Sequence, residues 1–353
     1  MNLEKIKHWN YVDVTLWLMR LAVIALVIAG TIGTIQKDRY TDDQWVSMVM
    51  FGLTIGGIYA LVALGYTMVY GILRLINFAH GDIFMTGGFT AYFVAAPLAK
   101  SGFLNDYLLI GIVLTMLVAA VVCCCVALIV ERICYRPFRH VRTLAPLICA
   151  IGASYFLQHS FRGMYGSSVR AYPDVAFFDT IVPILGYKFP MIQFVVVGCA
   201  LLAMYALYLI VNKTKMGTAM RAVSEDRDAA ALMGIDVNKV IIFTFILGGS
   251  MAGIGAVLYA FVFKQVYFFM GFFPGVKAFS AAVLGGIGNV PGAMLGGFFL
   301  GIVESLGPAL FLDGLGIVAP YQLRDLIAFT MLVMVLIFRP HGLLGERLAR
   351  QRA

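Results

Sequence analysis

Charged side chains are scarce, only 12% of the 353 residues against 61% hydrophobic, and that balance excludes an ordinary soluble domain. No G-x-x-x-x-G-K-[ST] phosphate loop occurs, so any ATP hydrolysis is expected in another polypeptide. No acid, base, nucleophile or metal set clusters at a useful helical spacing, so no catalytic and no metal-ligating residues are expected. The six cysteines, at 123, 124, 125, 134, 149 and 199, lie mostly inside apolar runs without paired ligand spacing, which favours buried thiols over zinc or disulfides. Short alternating strands are absent, which excludes a membrane β-barrel. No small-residue cleavage site follows the first apolar run, Leu16 to Ile35, so a retained first helix is expected. The net charge of +8 comes from short segments between apolar runs, with no basic domain to track nucleic acid.

What is present is a series of long apolar runs near 16–35, 46–71, 75–97, 107–130, 143–162, 188–211, 239–263, 276–303 and 321–338. About 20 apolar residues cross a bilayer as a helix, and only a helix satisfies its own backbone there. Basic residues mark the cytoplasmic connections: Lys5, Lys7 and Arg20; Arg132, Arg136, Arg139 and Arg142; Lys213, Lys215, Arg221 and Arg227; and Arg339, Arg347, Arg350 and Arg352. Crossings between two such connections must be even in number, yet three runs separate the 212–238 loop from the basic tail. One of them cannot be a simple span. The run at 276–303 carries Gly285-Gly286-Ile287-Gly288-Asn289-Val290-Pro291-Gly292, which no straight helix continues through. The fold expected is therefore an all-α polytopic membrane protein of about 8–10 transmembrane helices, with a broken or re-entrant element near 276–303 and cytoplasmic N- and C-termini.

A second interruption, Ile76-Asn77-Phe78-Ala79-His80-Gly81-Asp82, puts polar residues beside apolar sequence. Paired interruptions of hydrophobic segments point to a transporter's substrate path, so Asn77, His80, Gly81, Asp82, Gly285, Gly286, Gly288 and Asn289 are the candidate path residues. His80 could equally bond a carbonyl freed by the break, and the glycines could serve only a tight helix corner. The spacings Gly52/Gly56, Gly249/Gly253, Gly292/Gly296 and Gly297/Gly301 suit close helix contact, and regions 46–97 and 239–303 both pair a glycine-bearing span with an interrupted one, suggesting a repeat. Glu304, and Gln158, His159 and Arg162, are expected near the outer face.

The polar segment 213–238 reads as a short cytoplasmic helix ending at Gly234, with Ala219, Ala222, Val223 and Ala230 forming a small apolar face and Ser224 capping the next turn. Such a knob fits a partner's groove, while an arbitrary loop of this kind would be a solvated helix that binds nothing.

This segment, with Tyr66-Thr67-Met68-Val69-Tyr70-Gly71, Ile76 to Gly81, Lys277 to Gly288, Glu131-Arg132, Tyr135-Arg136-Pro137, Leu147 to Gly152 and Arg339 to Gly345, resembles the LivH-type permease of branched-chain amino acid ABC importers over roughly residues 46–345. The resemblance implies domains of 1–45, an N-terminal extension with the first helix; 46–345, the permease; and 346–353, a cytoplasmic tail. It implies a LivM-type permease partner, two cytosolic ABC ATPases that use ATP and Mg, and a periplasmic or extracellular amino-acid-binding protein, in the lipid of a bacterial inner (cytoplasmic) membrane. This chain itself would bind no cofactor. Gly217, Met220, Arg221, Ala222, Glu225, Asp226, Ala230 and Gly234 match the family's coupling helix, with Arg221, Glu225 and Asp226 as its polar contacts. The expected function is import of branched-chain or other neutral amino acids. Urea or short amides within the same family, or an ion-coupled transporter using Asp82 and Glu304, are the alternatives.

Overall fold

The computed structural model describes residues 11–139, 144–184, 186–339 and 342–344. Lys5, Lys7, Arg142, Pro340, His341, Gly345 and the 346–353 tail with Arg347, Arg350 and Arg352 lie outside the described residues. The chain runs α1 (Tyr11–Lys37), α2 (Asp42–Leu73), α3 (His80–Lys100), α4 (Phe103–Asp106), α5 (Leu108–Val130), α6 (Ala145–Tyr165), β1 (Arg170–Ala171), β2 (Ile181–Ile184), β3 (Tyr187–Pro190), α7 (Met191–Lys213), α8 (Lys215–Glu225), α9 (Arg227–Leu232), α10 (Val237–Phe263), β4 (Gln265–Val266), α11 (Phe272–Gly285), α12 (Val290–Gly307) and α13 (Arg324–Phe338). The fold is all-α and polytopic, and among the described residues seven helices are long and apolar enough to span a bilayer. Helices α3 and α6 carry more polar residues, and α11 is short.

Local chemistry sets the helix ends. Thr41 and Gln44 form a reciprocal capping box at the start of α2, with Asp42 and Asp43 in its first turn. Asp236 caps α10 and Asn289 caps α12 through side-chain oxygens. The run expected at 276–303 divides at residues 286–289 into α11 and α12, where Gly286 and Gly288 adopt left-handed φ values of 104° and 99°. That division restores the required parity, since α10, α11, α12 and α13 make four passes after the basic α8–α9 segment.

A second chain break lies in each half of the protein, and the two are related. Helices α2 and α10 both end on a non-glycine residue in the left-handed region, Arg74 at φ 55° and Lys264 at φ 53°. Gly65 and Gly255, Phe78 and Phe268, Gly81 and Gly271, and Phe89 and Phe279 stand the same 190 positions apart as 74 and 264. Helix α5 passes into a π-helical turn at Glu131–Tyr135, and α12 into another at Pro308–Asp313. The sequence repeat is therefore real, but in space it is inverted. Arg74 lies beside Ser224 on the α8–α9 side, whereas the strand after Lys264 pairs with β1 on the opposite side. The counterpart of the 76–82 interruption is thus 264–271, and not 285–292.

The halves interlock through the small-residue seams. Gly52 and Gly56 of α2 meet Gly301 and Gly297 of α12, and by the same symmetry Gly249 and Gly253 of α10 meet Cys123 and Ala119–Ala120 of α5. In lipid such close backbone approach is the main source of packing energy. Helix α1 docks by its outer end, where Thr34 Oγ1 donates to Ala309 O at 2.9 Å and Arg39 pairs with Asp313 at 3.0 Å. Lys264, outside the spans, is held above its ordinary range by hydrogen bonds to Asp174 and Asp179, at 2.8 and 3.1 Å.

Candidate functional site

The first turn of α3 does not start at a membrane face. His80 packs against Gly65 of α2 and lies beside Gly248 of α10. Gly65 is about 12 Å from the end of α2 at 1.5 Å per residue, so residues 74–79 climb back into the core before α3 begins. From the other side, residues 264–271 descend before α11 begins. The two starts meet: a Cβ built on Gly81 would stand 2.6 Å from the Gly271 carbonyl oxygen and 3.0 Å from Gly275 Cα, and one on Gly275 would stand 2.8 Å from Gly81 Cα. Two helix N-termini, each partly positive, therefore abut near mid-depth.

Around this junction the polar groups are buried and only partly satisfied. Asn77 Oδ1 accepts from Ala79 N at 3.1 Å, while its Nδ2, His80 Nε2 and Thr67 Oγ1 have no hydrogen-bond partner among the described residues. Asp82, in the first turn of α3, accepts from Ser154 Oγ and from Gln158 Nε2, the latter at 2.9 Å. Gln158 is therefore a buried partner of Asp82 rather than the outer-face residue expected. Tyr66 stacks edge-on with His80 at 4.7 Å and approaches Phe279 at 5.9 Å, and its hydroxyl lies 3.6 Å from the Cβ position of Gly275.

The second set of expected path residues sits elsewhere. Gly285 packs on Gly292 at the tight corner between α11 and α12, and Asn289 Nδ2 donates to Leu344 O at 2.8 Å. Gly285, Gly286, Gly288 and Asn289 thus form a corner against the chain's C-terminal segment, apart from Asn77, His80, Gly81 and Asp82. Glu304 also departs from expectation. It is 3% exposed, and its Oε1 lies 2.6 Å from Lys277 Nζ, which also reaches Asp325 at 2.6 Å.

The Gly81–Gly271 contact makes a direct prediction. Gly81→Ala should destabilise the purified chain by about 1–3 kcal/mol, seen as a lower Tm, because backbone on both sides blocks relaxation. Gly163→Ala, whose Cβ would meet nothing within 4 Å, should leave the Tm unchanged or slightly raised.

The α8–α9 segment is two helices. Thr214 caps α8, accepting from Gly217 N at 3.1 Å; Asp226 ends it and caps α9, accepting from Asp228 N and Ala229 N at 2.9 and 3.0 Å. Ser224, expected as the cap, instead donates to Arg221 O at 2.7 Å. Gly234, at φ 84°, stops α9. Met220, Val223 and Ala230 are buried, Ala222 is half-buried, and Gly217 lies against the Ile210 and Val211 carbonyls. Arg221 donates to Val211 O, so it closes the end of α7, while Glu225 and Asp226 are exposed.

Two features of this segment escape a reading of the sequence. Leu232 and Met233 stand 89% and 83% exposed at its tip. The segment is also tied to the first chain break: Arg227 Nη2 donates to Ile72 O at 2.7 Å, and Arg74 Nη2 to Ser224 O at 3.3 Å. Adjacent apolar residues ahead of a stop glycine in a polar helix were the available signal for the tip; the arginine ties span 155 and 150 positions and left none.

An inverted repeat of spanning helices, with paired breaks at its centre and a helical projection on one face, defines a membrane transport permease and not an enzyme in itself. Residues 48–336 match the family described as "Branched-chain amino acid transport system / permease component", and the chain belongs to that family. It is 38% identical over 306 residues to the high-affinity branched-chain amino acid transport system permease protein BraD of Pseudomonas aeruginosa, covering 86% of this chain and 96% of that one. It is 38% identical over 300 residues to the corresponding protein LivH of Escherichia coli K12, covering 84% and 94%. Among solved structures, PsaBC from Streptococcus pneumoniae in complex with Fab aligns over 90% of this chain and 97% of that one, with a TM-score of 0.46 and 15% identity.

Proposed function

We infer that this chain is the transmembrane subunit of an ATP-driven importer of branched-chain or similar neutral amino acids in the bacterial inner membrane. Its partners are a LivM-type permease, two cytosolic ABC ATPases that bind ATP and Mg, and an amino-acid-binding protein on the outer face. The observation that carries this reading is the α8–α9 projection, which exposes Leu232 and Met233 and is hydrogen-bonded to the end of α2. The names of the relatives above support the substrate.

In this reading Leu232 and Met233 seat in a groove of the ATPase, and Gly217, Met220, Ala222 and Ala230 hold the projection on α2, α7 and α10. Closure of the ATPases displaces a rigid element, and Arg227 and Arg74 pass that displacement to the C-terminal end of α2, where the chain breaks. The abutting starts of α3 and α11 then separate and open the path past Gly81, Asp82, Asn77 and His80. Gly285, Gly286, Gly288 and Asn289 form its inner corner.

The test is uptake of radiolabelled leucine into proteoliposomes holding the full assembly. Uptake should require the binding protein and hydrolysable ATP, and a Walker lysine substitution in the ATPases should abolish it. Uptake that persists without ATP, driven by an ion gradient, would falsify the reading.

A further inference from the structure

On the face opposite the α8–α9 projection, the outer half of α2, the end of α12 and the start of α13 enclose a cavity of about 370 Å³. That volume lies within the roughly 300–1,000 Å³ of small-ligand sites. Its wall is apolar on the α2 side, where Met48, Phe51 and Ile55 line it, and charged at the other end, where Glu304 and Arg324 do.

The charged end is incompletely satisfied. Glu304 is 3% exposed and spends Oε1 on Lys277, leaving Oε2 without a partner in a wall of the cavity. Arg324 is half-exposed, and its Nε approaches Glu304 Oε1 and Asp325 Oδ1 only at 3.8 Å, beyond hydrogen-bond distance. A donor fork and a buried acceptor therefore lie side by side, and each needs a group of opposite charge. With Lys277 and Asp325 counted, the four charges cancel, so a ligand carrying one net charge finds no complement here.

We propose that this cavity is an outer subsite for a zwitterionic α-amino acid with an apolar side chain. Its ammonium donates to Glu304 Oε2, its carboxylate accepts the Arg324 fork, and its side chain lies against Met48, Phe51 and Ile55. The 3.8 Å between the two protein groups suits ligand charges carried on one carbon. Lys277 belongs to α11, so the ligand competes for the carboxylate that fastens α11 to α12. This inference rests on the transport reading above and names where substrate first meets this chain.

The experiment uses Met48→Cys in the full chain, assembled with its permease and ATPase partners and without the binding protein. Labelling by a membrane-impermeant maleimide is compared with that of the unsubstituted assembly. Leucine at about ten times its Kd should slow labelling about tenfold. Leucine amide, which lacks the carboxylate, should give no protection, and Arg324→Gln added to Met48→Cys should raise the leucine needed by about tenfold or more. Equilibrium dialysis of labelled leucine against the unsubstituted assembly should show the same binding without any variant. Labelling indifferent to leucine, or slowed equally by leucine amide, overturns the subsite. If leucine uptake with the binding protein proceeds in that case, the transport reading stands and only the subsite fails. If the unsubstituted assembly imports no branched-chain amino acid, the transport reading fails and the subsite with it.

Discussion

Replacing Leu232 and Met233 together by Asp is expected to abolish stable association with the cytosolic ATPases while leaving the chain folded and inserted. Both side chains protrude from the end of α9 and touch little of their own protein, so their loss costs the fold almost nothing. Burying each in a partner groove would contribute about 1.5–3 kcal/mol, so the pair would weaken association by about 10²–10⁴. Co-purification of the ATPases on the permease, with the Tm of the permease as control, reads the outcome. Arg221→Glu separates two roles in the same segment. Arg221 donates to Val211 O, so this change should lower the Tm as well as transport, which a purely contacting residue would not do. Normal ATPase recovery with the double Asp variant would sink the docking assignment.

Lys277→Met is expected to destabilise the protein by about 3–5 kcal/mol, because it strands the Glu304 carboxylate in the interior. Arg324 stands 3.8 Å away and half in solvent, too remote to take over as counter-ion. Adding Glu304→Leu should restore most of the lost stability, since a buried ion pair and an apolar pair of similar volume are near equal in free energy. Thermal unfolding of the purified chain in detergent measures both variants. The rescued variant should nevertheless fail to transport leucine, because the same carboxylate faces the outer cavity. An unchanged Tm in Lys277→Met would show that the pair contributes nothing to folding.

Much of the architecture was legible because lipid imposes simple rules. Run length marked the helices, basic residues marked the inner connections, and parity demanded a division near 285–292, where glycines and Pro291 provided it. The helical projection was legible in outline. What could not be read was spatial pairing. Residues 264–271 hold Gly271 but none of the polar residues that flag 76–82, so the aromatic stretch Tyr267-Phe268-Phe269 passed for ordinary span. The partners of Asp82 and Glu304 lie 72 to 76 and 27 positions away, and only folding brings Ser154, Gln158 and Lys277 to them. The capping of α9 by Asp226 rather than Ser224 turned on a two-residue difference that both side chains could satisfy.

The inverted repeat has a consequence for how the nascent chain enters the membrane. Arg74 and Lys264 are equivalent positions that must finish on opposite sides, yet a cation draws its segment to the cytoplasm in either case. At Arg74 that pull agrees with the final orientation. At Lys264 it opposes it, and Asp174 and Asp179, already translocated with the preceding hairpin, neutralise the ammonium that would otherwise hold the second half upside down.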